Sequence, residues 1–323
     1  MATYKQIFGK TVKFLAADPP AAIGEGQIWY NDTSDTFKSS TLGPAAWASG
    51  NALSYSAANN SAVGTQTSAM AMGSYPASTT TASYDGTNWT AAPVLNTARQ
   101  SSMAFGASNT SALVTGGDTP GPSPMGETEE FNGSSWSEKA DLNTPRGLAG
   151  ACGIVTAGLV FSGGPEPSPP VNVEAWNGSS WTEVGNVTTA THNVSGCGTQ
   201  TAALKMGGTT TPGALITAVE EYNGTSWTAG TSLPVARGFA AAAGIQTSAL
   251  LFGGSAPART NTTVSFDGSS WSAQPNMGTA SNYLAGAGTS NLALAIGGYL
   301  PPTGSTRSEE FTNIATVKTI TAS

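Results

Sequence analysis

Short apolar runs ending in glycine recur along the chain, and each is followed at a set distance by an aromatic residue. The glycines are Gly73, Gly116, Gly163, Gly207, Gly253 and Gly297, spaced 43, 47, 44, 46 and 44 residues apart. In five of the six repeats a tryptophan stands five residues beyond the aromatic, as Tyr84–Trp89, Phe131–Trp136, Trp176–Trp181, Tyr222–Trp227 and Phe266–Trp271. One repeat shows what the pattern predicts. Val235 to Ala243 is rich in small residues and reads as an inner strand, crowded near an axis. Ala249 to Phe252 is a continuous apolar run, the mark of a buried second strand, and Gly253-Gly254 ends it where backbones approach closely. A third strand ends at Phe266, Asp267-Gly268 makes a tight turn, and Trp271 opens an outer fourth strand. Gly64, Gly106, Gly153, Gly198, Gly244 and Gly288 are read as the turn after the first strand. A period in the mid-forties with four strand signals per repeat predicts the blades of a β-propeller.

The fold expected is all-β, a six-bladed propeller with a short N-terminal extension and hairpin. Ring closure is tested by the sixth repeat, which has Gly297-Gly298 and Glu309-Glu310-Phe311 but Thr316 where a tryptophan is due. Trp47 stands 42 residues before Trp89, at the blade period. The simplest inference is that the segment around Trp47 supplies the outer strand of the last blade, which removes a sheet edge. The tail 314–321 also reads as a strand and competes for that place. Residues 41–323 are therefore assigned to the propeller and 1–40 to a separate attachment segment. That segment holds Pro19-Pro20 as a linker and a hairpin turning at Asn31 to Asp35.

Composition narrows the function. Only 10 % of residues are charged and the net charge is −7, which opposes a nucleic-acid surface or an anionic membrane as partner. No apolar run has the length of a membrane span, and the first residues lack the apolar stretch of a signal peptide. Synthesis and folding in a cytoplasm are expected. Cys152 and Cys197 each lie 16 residues past a blade tryptophan, so they occupy equivalent inner-strand sites. A disulfide between them needs a Cα separation near ~5.5 Å, and small buried thiols are expected instead.

A glycine doublet, an aromatic about thirteen residues on and then tryptophan resembles the kelch repeat, over residues 47–316. Val219-Glu-Glu-Tyr222 and Thr128-Glu-Glu-Phe131 carry the likeness best, and Gly73-Ser74 departs from it. The resemblance implies a propeller whose relatives mostly bind other molecules, although some are oxidases. The Asp-box of sialidase propellers does not fit, because Asp267 lies four residues before Trp271 where that box needs five. The stretch Gly26-Gln-Ile-Trp-Tyr-Asn31, with Phe37-Lys38, resembles a hairpin of structural and tail-fibre-like proteins of tailed phages. This likeness implies a virion location, several copies per particle, and attachment to other virion proteins through residues 1–40. The propeller would then bind a host surface glycan or a neighbouring virion protein. A purely architectural subunit and a bacterial kelch adaptor with a protein partner are the rival readings.

Candidate ligand residues fall on the face that carries the blade-linking loops and the Pro-rich loops between second and third strands. Arg99, Arg146 and Arg237 each follow a blade tryptophan by ten residues. They would bind a carboxylate or sulfate if they converge on the axis, or pair with third-strand acids such as Glu129 and Glu220. His192, the single histidine, lies beside the equivalent Thr191. Tyr75 and Tyr299 follow the glycine motif in neighbouring blades and would stack on a sugar if they are adjacent. One histidine without a Cys or carboxylate cluster gives no transition-metal site, and no cofactor motif is present. The third-strand acid pairs cannot share a glycosidic bond, because adjacent strand residues face opposite ways. No catalytic residue is assigned.

Overall fold

The computed structural model describes residues 13–15, 17, 28–121, 123–164, 170–211 and 213–320. The Pro-rich loop 165–169 and most of the attachment segment lie outside these residues. All regular structure described is β, and the chain divides into two compact units, 47–311 and 1–46 with 312–323.

The larger unit is a six-bladed β-propeller. Each blade is an antiparallel four-stranded sheet, and the first strands of consecutive blades adjoin one another around the axis. The blade built from Gly150–Ile154, Ala157–Phe161, Val173–Trp176 and Trp181–Val184 shows the sequence logic. Its first strand alternates buried and half-buried small residues, which lets six such strands meet. Its second strand is apolar almost throughout and buried on both faces. Its fourth buries the tryptophan, exposes Thr182 and Glu183, and half-buries Val184.

The aromatic–tryptophan unit closes each blade's outer hairpin. The rings of Phe131 and Trp136 lie 5.2 Å apart, and those of Tyr222 and Trp227 lie 5.0 Å apart. Each turn between them is held by its Asn or Asp, as in Asn132, whose Oδ1 accepts the N–H groups of Ser134 and Ser135 at 2.9 and 3.0 Å. Tryptophans also tie blades together: Trp181 Nε1 donates to Thr128 Oγ1 of the preceding blade at 3.2 Å.

In the sixth blade Ala46–Ser49 is the outer strand, beside Ser308–Thr312. Trp47 lies 5.3 Å from Phe311, and its Nε1 donates to Thr263 Oγ1 at 3.0 Å. Thr263 is the counterpart of Thr128, so Trp47 repeats the contact that Trp181 makes. The tail strand Ala315–Thr319 pairs instead with Thr36–Leu42 in the smaller unit. There Ile28–Asn31 and Thr36–Leu42 form a hairpin, and Asn31 Oδ1 accepts the N–H groups of Thr33 and Ser34.

Two sequence readings need correction. The glycines placed in the first turn lie within the first strands. A Cβ on Gly64, at φ +100°, would come within 2.1 Å of the Ser68 carbonyl oxygen on the second strand. The inner strand read from Val235 to Ala243 is in fact Ala241–Ile245. The residues before it form a lead-in that turns across the mouth of the ring.

Candidate functional site

That lead-in recurs in every blade and builds the mouth of the axis. Asn59, Ser101, Leu148, Asn193, Phe239 and Tyr283 each follow a blade tryptophan by twelve residues. All six are left-handed, with φ between 52° and 60°. This conformation is costly for residues other than glycine, and it persists only where the surroundings impose it. Here a closed circle of hydrogen bonds imposes it. The N–H of each residue donates to the carbonyl of its counterpart one blade back, from Asn59 to Tyr283 and onward to Phe239, at 2.8–3.0 Å. The backbone N–H and C=O groups of these six residues are thereby satisfied within the ring.

Glycine doublets set the height of these lead-ins. Gly117 N–H donates to the Arg146 carbonyl of the next blade at 2.8 Å, and Gly208 does the same to Arg237. Gly116 and Gly117 take φ +60° and +101°, and a Cβ on Gly117 would lie 2.5 Å from the Gln100 carbonyl oxygen.

The mouth is a shallow cavity of about 110 Å³ lined by the six left-handed residues and their neighbours. A larger cavity of about 400 Å³ adjoins it between blades four and five, sharing Asn193 and Phe239. Its other walls are His192, Thr209, Gly213, Leu215, Ser255 and Pro257. The Phe239 and Tyr283 rings sit 4.5 Å apart at 54°. Asn193 Nδ2 donates to Thr209 Oγ1 at 3.0 Å, while its buried Oδ1 has no partner. The two linings hold no Asp, Glu, Lys or Arg and combine amides, hydroxyls, an imidazole and two aromatic rings with aliphatic side chains such as Leu148, Leu215 and Leu284. Behind Ser101, burial pushes the Asp118 carboxyl above its ordinary value, opposed by the Ser101 hydroxyl.

Of the residues expected at a site, His192 lines the larger cavity. The three-arginine anion site is not formed. Arg99 and Arg146 are fully buried, and each donates to a third-strand acid, Glu129 at 2.6 Å and Glu174 at 2.7 Å. Arg237 is 5 % exposed and bonds the backbone and hydroxyl of Thr262, so it too faces away from a ligand. Glu220, which has Thr191 at the arginine position, is paired by Lys205 from the second strand at 2.7 Å. Burial pulls the Lys205 ammonium below its ordinary value, with Glu220 opposing. Tyr75 and Tyr299 make no ring contact with each other. Tyr75 is 50 % exposed, while Tyr299 is half-buried in a short ribbon with its carbonyl accepting from Arg259. The aromatic pair at the mouth is Phe239 with Tyr283, two tilted rings that no shared residue type marks in the sequence.

Cys152 and Cys197 are free and buried. Burial raises both thiols, Cys197 to about 12, so neither is a nucleophile at neutral pH. Among the described residues no group of three His, Cys, Asp or Glu side chains could hold a metal ion.

Fold and mouth together define a six-bladed propeller with an axial bowl lined in part by the Phe239 and Tyr283 rings and free of Asp, Glu, Lys and Arg. No protein-family model and no curated protein matches the sequence. Among solved structures, that of YjhT is similar with a TM-score of 0.70 and 12 % identity, over 83 % of this chain and 99 % of that one. At that identity the likeness is one of fold.

Proposed function

We propose that this chain is a non-enzymatic phage virion protein of kelch type, a fibre, spike or decoration module. Its loop-rich face binds a host surface glycan, and several copies per particle supply avidity. The observation that carries the glycan reading is the Phe239–Tyr283 pair beside a 400 Å³ cavity whose walls combine Leu215, Pro257 and Phe239 with the Asn193 amide and the Thr209 and Ser255 hydroxyls. Pyranose rings offer an apolar C–H face and a rim of hydroxyls. An aromatic floor with neutral donors and acceptors complements both. The virion assignment is supported by the hairpin Ile28–Asn31 with Thr36–Leu42, whose sequence carries the phage likeness. Residues 1–40 would then attach the propeller to other virion proteins.

The test is a glycan array and a host-cell binding assay on the full chain displayed multivalently, with F239A and Y283A alongside. The expected result is binding by the native chain and a loss of at least ~10-fold in each variant, since buried aromatic anchors dominate such contacts. Absence of binding by the native chain would favour an architectural subunit contacting neighbouring virion proteins. Equal binding by all three would remove the axial bowl as the site.

A further inference from the structure

The buried acids on the third strands are held in one common manner, and the sixth blade departs from it in one respect. Glu129 Oε2 accepts the Asn96 N–H at 2.7 Å, Glu174 Oε2 that of Asn143 at 2.7 Å, and Glu220 Oε2 that of Thr188 at 2.6 Å. Glu309 Oε2 likewise accepts the Gly278 N–H at 2.6 Å, and Gly278 holds the same place in its blade. Each of the first three carboxylates also receives a cation within 2.6–2.7 Å. It comes from an arginine of the lead-in, or in blade four from Lys205 on the second strand. In blade six the lead-in position is Ser281 and the second-strand position is Ala295. Neither can deliver charge, and among the described residues Glu309, 7 % exposed, finds no other hydrogen bond and no ion pair.

The space those side chains would fill is present. A cavity of about 10 Å³ is walled by Glu309, Ser281, Ala295, Thr279, Ser305 and Ser308, among others. That is room for one water-sized occupant. The Ser281 hydroxyl is buried without a partner. Arg307 also borders the cavity, but it is exposed and donates to Thr279 Oγ1 rather than to Glu309. A largely buried carboxylate without a compensating charge is unfavourable.

We propose that this cavity binds one small monovalent cation, of the size of potassium or ammonium, against Glu309. The cation takes the place filled by the Arg99 and Arg146 guanidiniums and the Lys205 ammonium in blades two to four. Hard oxygen donors suit it: the carboxylate and the hydroxyls of Ser281 and its neighbours. The ion is structural, because it binds the native fold and stabilises it by mass action.

The experiment is thermal unfolding of the full chain in potassium, ammonium or choline chloride at equal ionic strength. Choline, too large for the cavity, sets the baseline. The native chain is expected to melt higher in potassium or ammonium by on the order of 2 °C. Glu309→Gln should lose that difference, which separates site binding from general salt effects. Ser281→Arg, or Ala295→Lys should the first not fold, should melt higher than the native chain in choline and be indifferent to the cation. Equal melting of the native chain in all three salts overturns the proposal. So does a cation dependence that survives in Glu309→Gln.

Discussion

At the scale of single residues, the core is governed by whether a buried charge meets its opposite. Arg146 and Glu174 are wholly buried and joined at 2.7 Å. Removing one partner of such a pair leaves the other charge uncompensated, at about 3–5 kcal/mol. Glu174→Ala should therefore lower chemical stability by that amount, read from urea unfolding midpoints. Arg237 has the converse problem. Val264 stands where Glu129 and Glu174 stand in their blades, and the Arg237 guanidinium donates to the carbonyl and hydroxyl of Thr262 in place of a carboxylate. Val264→Glu should raise the unfolding midpoint in the native background and lower it in Arg237→Ala, a difference that a double-mutant cycle measures. The pairing of Arg99 with an acid can be read from the sequence, because Glu129 recurs at the blade period. The rescue of Glu220 by Lys205 cannot, because the lysine comes from a different strand and no single position registers the exchange.

At the scale of elements, turns and lead-ins do different work. Asp267 caps its turn with 2.7 and 2.9 Å bonds from Ser270 and Ser269 N–H. Those donors, with the two serine hydroxyls, hold its carboxyl well below the ordinary 3.8. A carboxylate depressed in the fold stabilises above its unfolded pKa, and that contribution disappears as pH falls through the folded value. Asn132, Asn177 and Asn223 fill the same turn without a titrating group. Asp267→Asn should therefore leave stability at neutral pH nearly unchanged and flatten its decline below pH 3.8, measured as melting temperature against pH. The lead-ins carry strain instead. Leu148 is held at φ +56° by its neighbours' hydrogen bonds. Leu148→Gly should stabilise by roughly 1 kcal/mol or less, as relieved strain outweighs the entropy glycine adds to the unfolded chain. Calorimetry of the two proteins decides it. Blades and turns are legible in sequence because tryptophan, glycine doublet and Asx-Gly each recur in type. The mouth is not, because Asn, Ser, Leu, Asn, Phe and Tyr share a backbone conformation and no chemistry. Their spacing of twelve residues from each tryptophan was visible, but only the inter-blade hydrogen bonds give that position its meaning.

At the scale of the whole molecule, the ring depends on one strand drawn from far away in sequence. Trp47 packs on Phe252 and Phe311, 5.0 and 5.3 Å between ring centroids. Trp47 is half-buried, so Trp47→Ala should cost less than the ~3–5 kcal/mol of a fully buried tryptophan and make the first and sixth blades exchange amide hydrogens faster than the third, detectable by hydrogen-exchange mass spectrometry. The same closure sets a timetable for biosynthesis. Ala46–Ser49 leaves the ribosome early and waits for Ser308–Thr312, some 260 residues later. At ~5–20 residues per second that delay is roughly 13–50 s, during which five blades can stack but the circle stays open. A chain cut short anywhere before residue 308 keeps an unmatched strand at one end and a bare blade edge at the other. Ring completion thus requires synthesis to reach the strand Ser308–Thr312.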